Sequence, residues 1–131
     1  MRLLDTDVCI EILRGNDDVI VRRAECVDEV ATTWITAGEL YYGAAKSRDP
    51  SRNRGLVASF LQTLPVLQFT PATARAFGDT KAELERTGMS LADADLWIAS
   101  CALSSAAIVV TGNLRHYERI PDLDIEDWIR G

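Results

Sequence analysis

Residues 2–13 read RLLDTDVCIEIL. A short apolar strand over residues 2–4 ends on Asp5, and helical spacing takes over at residues 8–13 until Gly15 and Asn16 stop it. A strand that passes at once into a helix is the unit of an α/β protein. The rest of the chain repeats the alternation. Helical patterns occupy residues 17–27 (DDVIVRRAECV), 37–47 (AGELYYGAAKS, with Thr36 as the expected cap), 51–64, 71–87 and 92–104. The long helix at 71–87 has Pro71 at its start and Gly88 just beyond its end, the usual asymmetry of helix punctuation. Apolar or β-branched strands fall at 30–35 (VATTWI), 65–69, 106–111 (AAIVVT) and, more briefly, within 123–128 (LDIEDW). This order predicts an α/β fold with a central parallel sheet of four or five strands. No repeat or linker divides the chain, so residues 1–131 are expected to form one domain.

Composition narrows the chemistry. A chain of 131 residues that is 47% hydrophobic can bury a core without staples. The three cysteines, Cys9, Cys26 and Cys101, are odd in number, far apart and set among apolar residues, which predicts buried thiols rather than disulfides. Met1 runs straight into RLLDTDV with no signal-peptide pattern, and no apolar run approaches a membrane span, so a cytoplasmic protein is expected. His116 is the only histidine, which excludes paired-histidine acid–base catalysis and multi-histidine zinc sites. A metal here would be held by carboxylates, whose hard oxygens favour Mg²⁺ or Mn²⁺. The net charge of -6 argues against bulk electrostatic capture of nucleic acid. All but Lys46 and Lys81 of the 14 basic residues are Arg, which suits local bidentate phosphate contacts.

Ligands of open α/β sheets bind at the carboxyl ends of the strands, so acids at those ends are the candidates. Asp5 ends the first strand. Asp7 stands where it can cap the first helix, which leaves Asp5 without an evident structural task. Glu39 lies early in the third helix, where either its dipole or a site would account for an acid. Asp95 shares a helix face with Ile98, Ala99 and Ala102, whereas Asp93 is the better capping candidate. Thr111 and Asn113 read as strand-exit turn residues. Acids brought from three strand–helix junctions to one sheet edge would repel one another unless a cation sat between them.

Four blocks resemble the PIN-domain ribonucleases, specifically the VapC-type toxins: LLDTDVCIEIL, similar to an LLDTN-type opening; TAGELYYGAAKS, similar to ELxxGAxKS; DADLWIASCAL, similar to DxxIAxxA; and IVVTGNLRHYERIPDLDIEDW, similar to TxNxRxFxRIPxxxIEDW. The resemblance covers nearly the whole chain. It implies a three-layer α/β/α fold and Mg²⁺-dependent endoribonuclease activity, with Mn²⁺ as a substitute. It makes Asp5 and Asp95 the metal carboxylates and Glu39 the second acid, which orients a water or serves as general base. Asn113 falls where many members carry a fourth acid, so one metal ion is expected rather than two. Asp7, in place of the common Asn, and Asp93 are accessory candidates, and Arg115 and His116 are candidates for substrate contact. The products implied are a 5′-phosphate and a 3′-hydroxyl. The closing segment looks like that of members that cut initiator transfer RNA.

The resemblance also implies a cognate antitoxin, a homodimer or toxin–antitoxin hetero-oligomer, and no membrane. An antitoxin helix would find its groove among Ile10, Ile12, Leu13 and the ELYYGAAK helix, where Tyr41 and Tyr42 point in different directions and at most one is expected in the core. Two rival readings remain. LLDTDV also fits the DxDxT/V opening of haloacid-dehalogenase phosphotransferases, although Thr111 follows both lysines rather than preceding a catalytic one, and no closing acidic pair or room for a cap domain is present. A degenerate PIN fold that only binds a partner is the other.

Overall fold

The computed structural model describes residues 1–131. Five parallel strands form one sheet in the order β3-β2-β1-β4-β5. They are β1 (Arg2–Leu4), β2 (Val30–Thr33), β3 (Val66–Leu67), β4 (Ile108–Val110) and β5 (Ile125–Glu126), with helices α1 (Thr6–Leu13), α2 (Asp17–Glu25), α3 (Trp34–Ala45), α4 (Pro50–Leu61), α5 (Pro71–Arg86), α6 (Asp93–Ser105) and α7 (Leu114–Tyr117) between them.

Alternation along the strands divides the core. Leu3 and Val109 face one layer with Leu84, Leu96, Ile98 and Tyr117, while Leu4 and Val110 face the other with Val8, Leu40, Val57 and Phe60. The sheet is therefore covered on both faces, as parallel sheets require. The chain winds outward from β1 through β2 to β3, then returns to the other side of β1 for β4 and β5. The switch point lies between β1 and β4, where a crevice opens at the strands' carboxyl ends.

The strands are shorter than their apolar runs because the helices start early. Trp34 and Ile35 belong to α3, which is capped by Thr33, whose Oγ1 accepts from the Thr36 amide. Thr36, expected as the cap, lies inside the helix. The C-terminal segment also holds the four-residue α7, too short to declare itself by periodicity. Gly15 (φ 81°) and Gly88 (φ 75°) sit just past α1 and α5 in the left-handed conformation that glycine adopts without penalty. Cys9 and Cys101 are buried, but Cys26 is only half-buried, and all three thiols are free.

Candidate active site

Asp5 is the first residue beyond β1 and the N-cap of α1. Its backbone amide donates to Val110 O across the sheet, which fixes it at the switch point. Its side chain is 4% exposed. Oδ1 accepts from the Thr6 amide and Oδ2 from the Thr111 hydroxyl, both at 2.8 Å. Burial first, and then the charge of Asp7, push its carboxyl up to about 7; the hydrogen bonds from Thr111 and Thr6 oppose this, and Asp95 adds a further push. The capping roles are thus the reverse of the sequence expectation. Asp7, inside the first turn, accepts from the amides of Val8 and Gly112, both at 2.8 Å. It ties α1 to the loop after β4, and burial raises its carboxyl as well. A Cβ at Gly112 would fall 2.9 Å from Asp7 Oδ2 and 2.9 Å from Ile129 Cδ1, so a larger residue would require those side chains to shift.

Asp95 lies on the first turn of α6, and its side chain is about a quarter exposed (26%). Residues of α7 face both of its oxygens: the Tyr117 hydroxyl donates to Oδ1 at 3.4 Å, and His116 Nδ1 is 3.5 Å from Oδ2. Asp93 does not cap α6. Ala92 holds the cap position without a side-chain bond, and Asp93 instead pairs with Lys81 at 3.0 Å.

Glu39 is exposed on α3 and reaches the site through Thr6, whose hydroxyl donates to Oε1 at 2.6 Å and lies 3.0 Å from the Thr36 hydroxyl. Thr6 therefore serves two acids, with its amide on Asp5 and its hydroxyl on Glu39. Asn113 begins α7 without a side-chain cap bond, and its amide donates to Thr111 Oγ1 at 2.9 Å. Arg115 and His116 line a neighbouring depression with Asn113, Glu118, Asp127 and Arg130.

Asp5 and Asp95 are thus close enough for the charge of Asp95 to act on Asp5, and Glu39 is linked to Asp5 through Thr6. No three Asp, Glu, His or Cys side chains close around a single point. No Lys or Arg pairs with Asp5 or Asp95. Two adjacent hard-oxygen carboxylates without a cation, one of them buried, suit a divalent ion that keeps several waters, as Mg²⁺ does with one or two carboxylates.

Residues 2–123 match the family model described as PIN domain. The chain belongs to the PIN-domain family. This PIN domain is 36% identical over 128 residues to Ribonuclease VapC2 of Haemophilus influenzae, covering 97% of each chain. It is 39% identical over 127 residues to the tRNA(fMet)-specific endonuclease VapC of Salmonella typhimurium, covering 96% of each. Among solved structures, it superposes on a chain of DNA-bound VapBC from Salmonella typhimurium with a TM-score of 0.92 at 38% identity, covering 97% of each chain. For VapBC2 of Rickettsia felis bound to a promoter DNA fragment, the TM-score is 0.90 at 30% identity, covering 97% of this chain and 98% of that one. The family carries nuclease chemistry, and its five-stranded parallel sheet between two helical layers is the architecture found here. These relatives are ribonucleases by name, not phosphotransferases. No helix of this PIN domain is long and apolar enough to cross a membrane.

Sequence reasoning missed Thr6, Gly112 and Tyr117. Thr6 and Gly112 act through contacts to residues 33 and 105 positions away, which no local pattern encodes. For Tyr117, the available signal was a Tyr in the Phe position of TxNxRxFxRIP.

Proposed function

We propose that this PIN domain is the toxin of a toxin–antitoxin pair, a Mg²⁺-dependent endoribonuclease with transfer RNA as its substrate and a cognate antitoxin as its inhibitor. The observation that carries the catalytic reading is Asp5: a buried carboxylate at the switch point, pushed up to about 7, with Asp95 beside it and no basic side chain to neutralise either. Capping α1 accounts for a carboxylate at Asp5 but not for an uncompensated second acid near it, which costs stability and points to a ligand. Asp5 and Asp95 would hold the ion. When bound, the ion supplies charge stabilisation at a phosphoryl oxygen and makes water a better nucleophile.

The chain's own residues do the rest. Thr111 and the Thr6 amide hold Asp5 in one rotamer. The Thr6 hydroxyl fixes Glu39 by Oε1, which leaves Oε2 to orient a water or take its proton. Asp7 secures the loop that carries Thr111 and Asn113. Arg115 and His116, both exposed and with His116 3.5 Å from Asp95, would engage phosphates of the substrate and so supply locally what a net charge of -6 denies globally. The transfer RNA assignment follows the Salmonella relative's name.

For the antitoxin, the supporting feature is a groove of about 620 Å³ between α1, α3 and α4. Ile10, Leu13, Leu40, Leu56 and Val57 make it apolar, and it runs up to Thr6 and Glu39 at the rim of the site. Ile12, expected there, does not line the groove, although like Ile10 and Leu13 it is partly buried against the core. Tyr42 lines the groove and is 66% exposed, and Tyr41 at 38% is not core either. An amphipathic helix with a basic residue at its end fits this shape and charge.

The test is Asp5→Asn. Cleavage of transfer RNA in Mg²⁺ should fall by about 10³-fold or more while the protein stays folded. Undiminished cleavage by that variant would reject the mechanism.

A further inference from the structure

Tyr117 is the largest fully buried side chain in the molecule. It lies among Leu3, Leu84, Leu96, Val109 and Ile120, where an apolar ring alone would suffice. The motif that this segment resembles places Phe at the same position. A buried phenol must find a hydrogen-bond partner or cost stability. The hydroxyl faces both site carboxylates: it donates to Asp95 Oδ1 at 3.4 Å and also lies against Asp5. Asp95 has no other buried anchor: its helix begins without a side-chain cap bond, and its second oxygen meets only the exposed His116.

We propose that Tyr117 is a positioning residue for the divalent-ion site, its O–H reaching up from the core to hold the Asp95 carboxylate beside Asp5. This rests on the reading that Asp5 and Asp95 hold the ion. The phenol suits the task because it remains a donor. A tyrosine hydroxyl ordinarily ionises only at about 10, so beside a carboxylate at neutral pH it is the donor. A donor on the outer side of a carboxylate also leaves the remaining lone pairs to the metal, the usual arrangement behind a metal ligand.

The experiment compares wild type, Tyr117→Phe and Asp95→Asn by calorimetric titration with Mn²⁺, by thermal unfolding in chelator, and by the Mg²⁺ concentration that gives half-maximal cleavage. Phe keeps the ring and the packing, so Tyr117→Phe should unfold at the wild-type temperature in chelator. It should nevertheless bind Mn²⁺ about tenfold more weakly and need about tenfold more Mg²⁺ for half-maximal cleavage, with the rate recovering at saturation. A purely structural hydroxyl would shift the unfolding temperature and leave the metal affinity alone. If Asp95→Asn loses Mn²⁺ binding while Tyr117→Phe binds as wild type does, the positioning role is overturned. If Asp95→Asn itself binds as wild type does, the metal-pair reading falls instead.

Discussion

On one face of the sheet Trp97 of α6 is stacked between Phe69 and Phe77, with ring centroids 5.2 Å and 3.9 Å away, and α5 starts with a reciprocal capping box between Thr70 and Thr73. On the other face α1, α3 and α4 diverge and leave an apolar groove, with Tyr42 and Leu56 open to solvent. The same sheet therefore carries one layer closed on itself and one that withholds part of its apolar surface from the core. Glu39 is the site acid that lines this groove, next to Thr6. The layers differ in emphasis: the closed face supplies packing and also sends Asp95 and Tyr117 to the site, while the open face leaves apolar surface for ligands.

The largest expected effect concerns the site. Because the fold favours the protonated form of Asp5, its contribution to stability is fully present below the ordinary carboxyl value of 3.8 and is lost as pH rises towards and through about 7. The metal-free protein should lose up to about 4 kcal/mol over that interval. Asp5→Asn should flatten the slope, and denaturant unfolding in chelator at several pH values measures both. An equal slope in the variant would place the pH sensitivity elsewhere and break the contrast.

Next is the closed layer. Trp97→Ala should cost about 3 kcal/mol of unfolding free energy by removing the central ring of the stack. Smallest in stability is the open layer. Tyr42→Ala should change the unfolding free energy by less than about 0.5 kcal/mol, yet weaken the antitoxin complex by about 2 kcal/mol in a binding titration. If Tyr42→Ala destabilised the free protein as much as Trp97→Ala, the division of labour would be wrong.

What could be read from the sequence follows the range of the forces involved. The strand at Arg2–Leu4 and the helix from Pro71 were legible because apolar runs, a leading proline and a trailing Gly88 are local signals. The position of Asp5 at a strand end was legible for the same reason. Its capping role was not, because Asp5 and Asp7 are equally good caps by type, and the choice is made by the Gly112 amide, 105 residues away, which engages Asp7. The Thr33–Thr36 ambiguity is similar: β2 and α3 adjoin without a loop, so the boundary depends on how far the sheet pairs. No spacing or periodicity in the sequence singles out Tyr117. Only its hydroxyl's neighbours, Asp95 and Asp5, give it a second meaning.

The two outermost strands, Val66–Leu67 and Ile125–Glu126, are each only two residues long. Edges this short expose too few free amides and carbonyls to template an added strand, which guards the monomer against sheet-to-sheet polymerisation. They are also poor platforms for β-augmentation. A partner that reads side chains on the helices instead can change specificity by point substitution without disturbing the strand order.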